Sequence, residues 1–198
     1  MNKSSDLRVI KTKQIIRAAV LDIMTRKSLA DISVTEVAKK AMVNRKTFYN
    51  HYSTVNDVLE DLIQEVIDSI TDKMNFDSKS CLKIGDVLYY LARSISEYKD
   101  QLSVILKYCP EYYYNGKTQA ILLRLSEVSI QNIADIPDES ILKMVSLFAA
   151  SGIISVYTKW LADNCNTDAE IIVEVTKKLV YGSLVQFISD EDLKKIDL

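Results

Sequence analysis

Residues 43–52 read VNRKTFYNHY and determine how the rest of the chain is interpreted. Helical spacing places Val43, Phe48 and Tyr52 on an inward side of this stretch. The polar residues share the outer side, and they are Arg45, Lys46, Thr47, Tyr49, Asn50 and His51. Cations and hydroxyls bind phosphate oxygens, and guanidinium and amide groups read guanine and adenine edges. The outer side therefore suits the major groove of DNA.

Helix-start signals surround this stretch. Ser33 and Glu36 form a capping-box pattern that opens a short helix, TEVAKKA. Asn44 is a favourable N-cap for a second short helix, and Thr54 with Asp57 caps a third, longer helix that runs to about residue 75. Two short helices joined by a tight turn are the layout of a helix-turn-helix unit.

The charge of the chain is distributed unevenly around this unit. The net charge is −2, but residues 1–52 carry 11 Lys or Arg against 4 Asp or Glu, and the remainder is acidic. An amphipathic helix predicted over residues 9–27, with Lys13 and Arg17 outside its apolar stripe, supports the unit from its N-terminal side. A basic N-terminal quarter favours local contact with a polyanion, although solvated helix faces would give the same count.

Residues 12–59 resemble the DNA-binding domain of the TetR (tetracycline-repressor-like) family of bacterial regulators. The resemblance rests on ISVTEVAKKAMVNRKTFYNHYSTVNDVL, and residues 148–164, FAASGIISVYTKWLADN, are similar to a subgroup common in low-GC Gram-positive bacteria. The family implies an all-helical homodimer with ligand pockets in its C-terminal domains. Occupancy of those pockets changes the separation of the two recognition helices.

The predicted fold class is all-α, with about nine helices. A three-helix DNA-binding domain is predicted at residues 8–68, with its helix-turn-helix at about 33–52, and a C-terminal helical effector-binding and dimerisation domain at 69–198. Four Gly and two Pro in 198 residues favour helix throughout. The C-terminal helices are predicted at roughly 80–99, 101–108, 112–134, 139–163 and 168–188.

The resemblance also assigns contacts to DNA, residue by residue. It places phosphate or backbone contacts on Thr35, Tyr49 and His51, and a helix cap with a further phosphate contact on Asn44. The candidates for base edges are Arg45, Lys46, Thr47 and Asn50.

Four positions depart from the family pattern. Ser28 and Met42 stand where glycine is common, and Met42 would be strained by about 1 to 2 kcal/mol if the turn needs a positive φ. Lys46 replaces a small residue and adds a long cation to the recognition helix. Val55 replaces a frequent lysine and removes one expected phosphate contact. These departures bear on which operator sequence is read.

The C-terminal part offers an effector pocket and a dimer interface. An aromatic-lined pocket is predicted at Tyr89, Tyr108, Tyr112, Tyr157 and Trp160, with core or interface packing as the alternative for each ring. The last two long helices are apolar on two sides, which indicates that one side meets another subunit. The predicted interface consists of Ile154, Tyr157, Leu161, Ile172, Val180 and Leu184.

Several functional classes find no support in the sequence. There is no glycine-rich phosphate loop, nucleophile elbow or HExxH motif, so no enzyme is predicted. The three cysteines are far apart and the chain has one histidine, so neither a metal site nor a cofactor is predicted. The longest uncharged run, Met144 to Thr158, is shorter than the roughly 20 residues that span a bilayer. We therefore expect a cytoplasmic protein without membrane contact.

Two hypotheses about function follow. The first is a homodimeric transcriptional regulator, a repressor that a small-molecule effector releases from a near-palindromic double-stranded DNA operator. The second keeps the fold but replaces the metabolite with a protein partner, because residues 80–190 contain no sharp polar cluster. The effector, the operator, the regulated genes and the sign of regulation are not specified by the sequence.

Overall fold

The computed structural model describes residues 3–72, 83–113, 116–131, 136 and 138–187, apart from the side chains of 3–6, 112, 113, 116–118 and 186. The fold is all-α, as predicted, and none of these described residues lies in a strand. The helices are α1 Lys3–Met24, α2 Val34–Lys40, α3 Arg45–Tyr49, α4 Val55–Thr71, α5 Ile84–Glu97, α6 Lys99–Tyr108, α7 Pro110–Tyr113, α8 Gly116–Gln131, α9 Glu139–Ala162 and α10 Ala169–Leu184. Single 3₁₀ turns occur at Leu29–Asp31 and Val185–Phe187.

The chain divides into two compact units. The first comprises Met1–Val66 with Val104–Pro110, and in it α1 packs on α2 and α2 packs on α3. Its core is apolar, and α1 to α4 contribute to it together with Ile105 of α6, which is also fully buried. The most deeply buried members are Ile16, Val20, Met24, Val37, Phe48, Val58, Leu59 and Leu62.

The two predicted caps of the helix-turn-helix are confirmed. The Ser33 hydroxyl accepts from the backbone N–H of Glu36 at 3.3 Å, and the Glu36 carboxylate accepts from the Ser33 N–H at 3.0 Å. The Asn44 side chain accepts from the N–H of Thr47 at 2.7 Å. Each cap satisfies a backbone donor that the first turn of a helix leaves unpaired, so α2 and α3 begin where the sequence places them.

The turn between α2 and α3 is a Schellman motif. The N–H of Val43 donates to the Ala38 carbonyl at 2.9 Å, and the N–H of Met42 donates to the Lys39 carbonyl at 3.2 Å. This pair of bonds places Met42 in the left-handed region, at φ 54°. The strain expected at Met42 is therefore present, and its side chain is 93% exposed.

The second unit comprises Ile67–Ser103 and Glu111–Leu198. In its described part α8 packs on α9 and α5, and α10 packs on α5 and α9. Asp138 caps α9 and Asp168 caps α10, each by accepting from backbone N–H groups of the first turn. Its most buried apolar side chains include Ile84, Leu88, Ile130, Ile153, Tyr157, Leu161 and Leu184.

Some predicted boundaries were wrong. The first helix begins at Lys3 and not at residue 9. Within the helix predicted over 112–134, the structure describes α7 as far as Tyr113 and α8 over Gly116–Gln131.

One helix of the described residues, α9, is long and apolar enough to cross a membrane by length and composition. Its best 18-residue window has a mean hydropathy of 1.6, and 44% of that window is buried inside the structure. The core helix of a water-soluble fold passes the same test, and α9 packs against α8 and α10. The length of α9 is therefore explained by its place in the core of the second unit.

Replacing Met42 with glycine should stabilise the first unit. The substitution relieves left-handed strain of about 1 to 2 kcal/mol but increases the entropy of the unfolded chain, so we expect a net gain of about 0.5 to 1 kcal/mol. Chemical denaturation followed by far-ultraviolet circular dichroism measures the gain. Met42→Ala is the matched control because it removes the exposed side chain and keeps Cβ, and an equal gain from alanine would contradict the backbone explanation.

Candidate nucleic-acid interface

Phe48 anchors α3 to the first unit. Its side chain is completely buried, and its ring lies 5.9 Å from that of Tyr52 and 5.8 Å from that of Tyr49, the latter edge-to-face. Tyr52 is buried as well, and Val43 is half-buried. The inward side of the stretch therefore consists of the residues that the helical spacing predicts.

The opposite side of α3 is polar and open to solvent. Arg45, Lys46 and Asn50 are exposed, Tyr49 is half-exposed, and Thr47 and His51 are partly covered. The guanidinium of Arg45 lies 5.9 Å from the centre of the Tyr49 ring. Stacking of this kind orients a guanidinium without neutralising its charge. The structure thus brings the predicted contact residues of α3 onto one surface.

The side chains of Asn44 and Thr47 are hydrogen-bonded to each other. The Asn44 side-chain oxygen accepts from both the N–H of Thr47, at 2.7 Å, and its hydroxyl, at 2.9 Å. The Asn44 amide nitrogen and the Thr47 hydroxyl oxygen keep their capacity for another partner. The other predicted phosphate contact, Thr35, is exposed on the first turn of α2.

The unpaired positive charge of the first unit lies on fewer side chains than the sequence count indicates. Five of its basic side chains form ion pairs with acidic residues of the same unit, and they are Lys13, Arg17, Arg26, Lys27 and Lys40. Arg45 and Lys46 form no ion pair with any described side chain. The outer side of α3 therefore carries two cations that no described carboxylate neutralises. The other basic residues of this unit without an ion pair among the described residues are Arg8, Lys11, Lys39 and Lys107.

A network centred on Asp61 lies behind α3, and the sequence reasoning missed it. The Asp61 carboxylate accepts from Lys13 Nζ at 2.8 Å, from Arg17 Nη2 at 2.6 Å and from the Tyr52 hydroxyl at 2.7 Å. Arg17 Nη1 also donates to Glu65 at 2.5 Å. The network joins α1, α4 and Tyr52, which lies three residues beyond the end of α3.

The network holds its members in fixed protonation states. Burial opposes ionisation of Asp61, but the hydrogen bonds from Lys13, Tyr52 and Arg17 prevail and lower the pKa of its carboxyl to about 2. Burial and the hydrogen bond to Asp61 raise the pKa of the Tyr52 phenol. Burial opposes the charge of Arg17, yet its two carboxylate partners raise its pKa. The phenol therefore remains a donor and the carboxylate an acceptor at neutral pH.

The sequence contained a signal for this network. Lys13 and Arg17 are four residues apart on α1, and Asp61 and Glu65 are four residues apart on α4. Pairs with this spacing lie on one face of a helix, so two complementary faces were present. Arg17 was assigned to the polar side of its helix, but the structure leaves only 8% of it exposed.

The departures from the family pattern have different structural consequences. Ser28 has φ −58°, so this position does not require glycine. Lys46 is exposed on α3, and Val55 is 7% exposed at the start of α4. Val55 therefore contributes to packing in a position where a lysine would reach solvent.

The five aromatic residues of the predicted effector pocket occupy different environments. Tyr157 and Trp160 are buried with their rings edge-to-face at 6.0 Å. The Tyr157 hydroxyl donates to the Leu88 carbonyl at 3.0 Å, and Trp160 Nε1 donates to the Thr167 carbonyl at 2.8 Å. Tyr89 is 50% exposed and Tyr108 is 38% exposed. The side chain of Tyr112 lies outside the described residues.

The predicted dimer interface lies largely on residues that the chain itself covers. Four of its six members are at most 5% exposed within the chain itself, and they are Tyr157, Leu161, Val180 and Leu184. Ile154 and Ile172 are partly covered. The exposed apolar stripe is the other one, formed on α9 by Met144, Leu147 and Phe148 and on α10 by Ile171, Val175 and Leu179. Both stripes are apolar, and the residues of the predicted interface are the ones that pack mainly against other helices of the same chain.

The fold and the geometry of α2 and α3 define a class: an all-helical protein whose N-terminal unit presents a helix-turn-helix. No family model matches the chain. An uncharacterized HTH-type transcriptional regulator of Bacillus subtilis strain 168, YxbF, is 34% identical over 74 residues. The chain spans only a fifth of the length of that relative, since the match covers 35% of this chain and 20% of YxbF.

Solved structures extend the likeness to most of the chain. The dihydroxyacetone kinase operon activator DhaS has a TM-score of 0.66 at 18% identity, covering 91% of this chain and 99% of DhaS. A TetR transcriptional regulator from Streptococcus agalactiae 2603V has a TM-score of 0.58 at 19% identity, covering 89% and 97%. The chain therefore has the TetR-like fold, and the resemblance predicted from the sequence is confirmed.

Replacing Asp61 with asparagine should change how stability depends on pH. The folded-state pKa of about 2 lies below the value of about 4 expected when unfolded, so the unfolded chain binds the extra proton. Stability from Asp61 is present above about pH 4 and is lost, by about 2 kcal/mol, as pH falls toward 2. Denaturation titrations from pH 6 to 3 should therefore show a shallower decline in Asp61→Asn.

Asp100→Asn makes the same chemical change at an exposed carboxylate on α6 and serves as the control. We expect it to reproduce the wild-type decline over the same pH range. If Asp61→Asn declines as steeply as the wild type, the Asp61 network does not contribute to the acid sensitivity of the fold.

Proposed function

We propose that this chain is a homodimeric DNA-binding transcriptional regulator of the TetR type that acts in the cytoplasm. The observation that carries the proposal is the outer side of α3, where Arg45 and Lys46 are exposed and uncompensated while Phe48 on the opposite side is fully buried. Such a helix presents cations, amides and hydroxyls without disturbing the core. The named regulators with the same fold support this role.

In the proposed complex α3 is the recognition helix. Arg45, Lys46, Thr47 and Asn50 reach base edges, and Thr35, Asn44, Tyr49 and His51 contact the phosphate backbone. Two copies of the helix in a symmetric dimer require a near-palindromic operator with half-sites about one helical turn or a multiple apart.

A small-molecule effector bound in the second unit is the proposed signal. Four buried hydroxyls of this unit, those of Ser129, Ser146, Thr158 and Thr176, have no hydrogen-bond partner among the described residues. Buried polar groups are normally paired, so each of these hydroxyls is a candidate contact for a polar ligand. Ligand screening by thermal shift, repeated with Ser146→Ala and Thr176→Val, tests this part of the proposal.

The effector is proposed to release a repressor from its operator. DhaS, which shares the fold, is named an operon activator, so the sign of regulation needs its own measurement. A reporter fused to the promoter that the protein occupies should be more active when the gene is deleted. A less active reporter would identify an activator instead.

Loss of both uncompensated cations should weaken DNA binding. In Arg45→Ala/Lys46→Ala we expect affinity for the selected operator to fall at least about tenfold, with little change in the slope of log affinity against log salt, because both side chains are proposed to contact base edges and not phosphates. Fluorescence anisotropy at several salt concentrations measures both quantities.

The matched control removes the same charge elsewhere. Lys143→Ala/Lys159→Ala changes two exposed lysines of α9, so the net charge of the chain is the same as in the α3 variant. This control should bind as the wild type does. Equal affinities for the two double variants would exclude α3 as the DNA-binding element.

A charge placed on the exposed apolar stripe should prevent dimerisation. Leu179 is 61% exposed on α10 and Phe148 is 68% exposed on α9, and burial of such side chains contributes about 25 cal/mol per Å² to association. Phe148→Glu/Leu179→Glu should therefore sediment at the 22.5 kDa mass of one chain, whereas the wild type sediments at twice that mass.

Lys178→Glu is the control for this prediction because it adds negative charge to the adjacent position of α10 but outside the apolar stripe. It breaks a surface ion pair with Glu174, which is worth little. We expect it to remain a dimer. A dimeric mass for the double glutamate variant would place the interface elsewhere.

A further inference from the structure

The C-terminal end of the recognition helix is attached to the body of the first unit through Tyr52. Beyond the end of α3, the N–H groups of His51 and Tyr52 both donate to the Phe48 carbonyl, at 2.9 and 3.0 Å, and continue the helical turn. The Tyr52 hydroxyl then donates to Asp61 Oδ2 at 2.7 Å. A movement of the Tyr52 ring is therefore passed to α3 through backbone hydrogen bonds.

This attachment supplies a constraint that the apolar core does not. The buried ring of Phe48 fixes how deeply α3 sits, but hydrophobic contact has no preferred direction. A hydrogen bond to a carboxylate is directional and roughly twice as strong as a neutral one. The Tyr52–Asp61 bond therefore restricts rotation of α3 about its own axis, at the end opposite the Asn44 cap.

Asp61 can act as a fixed point because it is itself held from two sides. Lys13 donates to Oδ1 at 2.8 Å, and the buried Arg17 donates to Oδ2 at 2.6 Å. The ammonium of Lys13 also lies 5.6 Å from the centre of the Tyr52 ring. Lys13 thus contacts both the Asp61 carboxylate and the Tyr52 ring, and it holds both groups against α1.

We propose that Asp61 is a positioning residue for sequence discrimination, acting through the Tyr52 hydroxyl to set the rotation of α3. This inference rests on the proposed function, since it concerns how the recognition helix reads DNA. Base-edge contacts require defined geometry, whereas phosphate contacts tolerate small rotations. Loss of the bond should reduce preference for the operator while leaving non-specific binding intact.

The experiment compares specific and non-specific binding by the full-length protein. The specific probe is a duplex of about 30 base pairs, long enough for two half-sites, which the wild type selects from a random pool. The non-specific probe is a scrambled duplex of the same composition. Tyr52→Phe removes a single oxygen, and Asp61→Asn tests the other partner. Tyr181→Phe makes the same change at a buried tyrosine of the second unit and is the control.

In Tyr52→Phe we expect the ratio of specific to non-specific affinity to fall about tenfold, as loss of one charge-assisted hydrogen bond implies. Affinity for the scrambled duplex and its salt dependence should match the wild type, and Tyr181→Phe should keep the full ratio. General destabilisation would lower both affinities together.

Two other results overturn the inference. If Tyr52→Phe keeps the wild-type ratio while the wild type selects a duplex, the Tyr52–Asp61 bond only stabilises the fold and the proposed function stands. If the wild type selects no duplex at all, the proposed function fails and the inference fails with it. Asp61→Asn distinguishes the same outcomes provided that its circular dichroism shows a folded chain.

Discussion

The ion network at Asp61 is the constraint on which the N-terminal unit depends, because it fixes three chain segments that apolar contact alone would leave free to turn. Burying the guanidinium of Arg17 carries a desolvation cost, which Asp61 and Glu65 offset through short hydrogen bonds. Arg17 Nε is buried without a hydrogen-bond partner among the described residues, so that offset depends on the two terminal nitrogens. Removing one carboxylate would leave a buried charge partly unpaired, which typically costs several kcal/mol.

That constraint matters because α3 has so little stability of its own. It has five residues, whereas isolated helices shorter than about 12 residues are marginal in water. Its conformation is therefore set by its two ends and by Phe48, which is completely buried. Because these contacts hold α3 from its ends and its inward side, the outer side packs against nothing and carries polar residues. Because so few contacts hold α3, its orientation is sensitive to the loss of any one of them.

Features coded by neighbouring residues were predictable from the sequence, and features decided by distant packing were not. The capping box at Ser33 and the cap at Asn44 depend on residues three positions apart, so reading the sequence was sufficient. The burial of Arg17 depends on α4, nearly fifty residues away, and hydrophobic patterning placed it on the wrong side. The apolar sides of α9 and α10 give a related case: each helix carries two of them, and packing against other helices decides which one the chain itself covers. The departures Ser28 and Met42 looked equivalent, yet only Met42 has a positive φ.

Met42 shows how the backbone takes precedence over the side chain in this turn. The two Schellman hydrogen bonds, Val43 to Ala38 at 2.9 Å and Met42 to Lys39 at 3.2 Å, pair carbonyls that the end of α2 would otherwise leave open. Each contributes about 0.5 to 1.5 kcal/mol net, so together they are comparable in size to the strain of about 1 to 2 kcal/mol at a left-handed methionine. The turn can therefore hold its angle with an unfavourable residue at its centre. Since its side chain is almost wholly exposed, that residue adds nothing to the packing between α2 and α3, and the position of α3 is left to the Asn44 cap, Phe48 and the Tyr52–Asp61 bond.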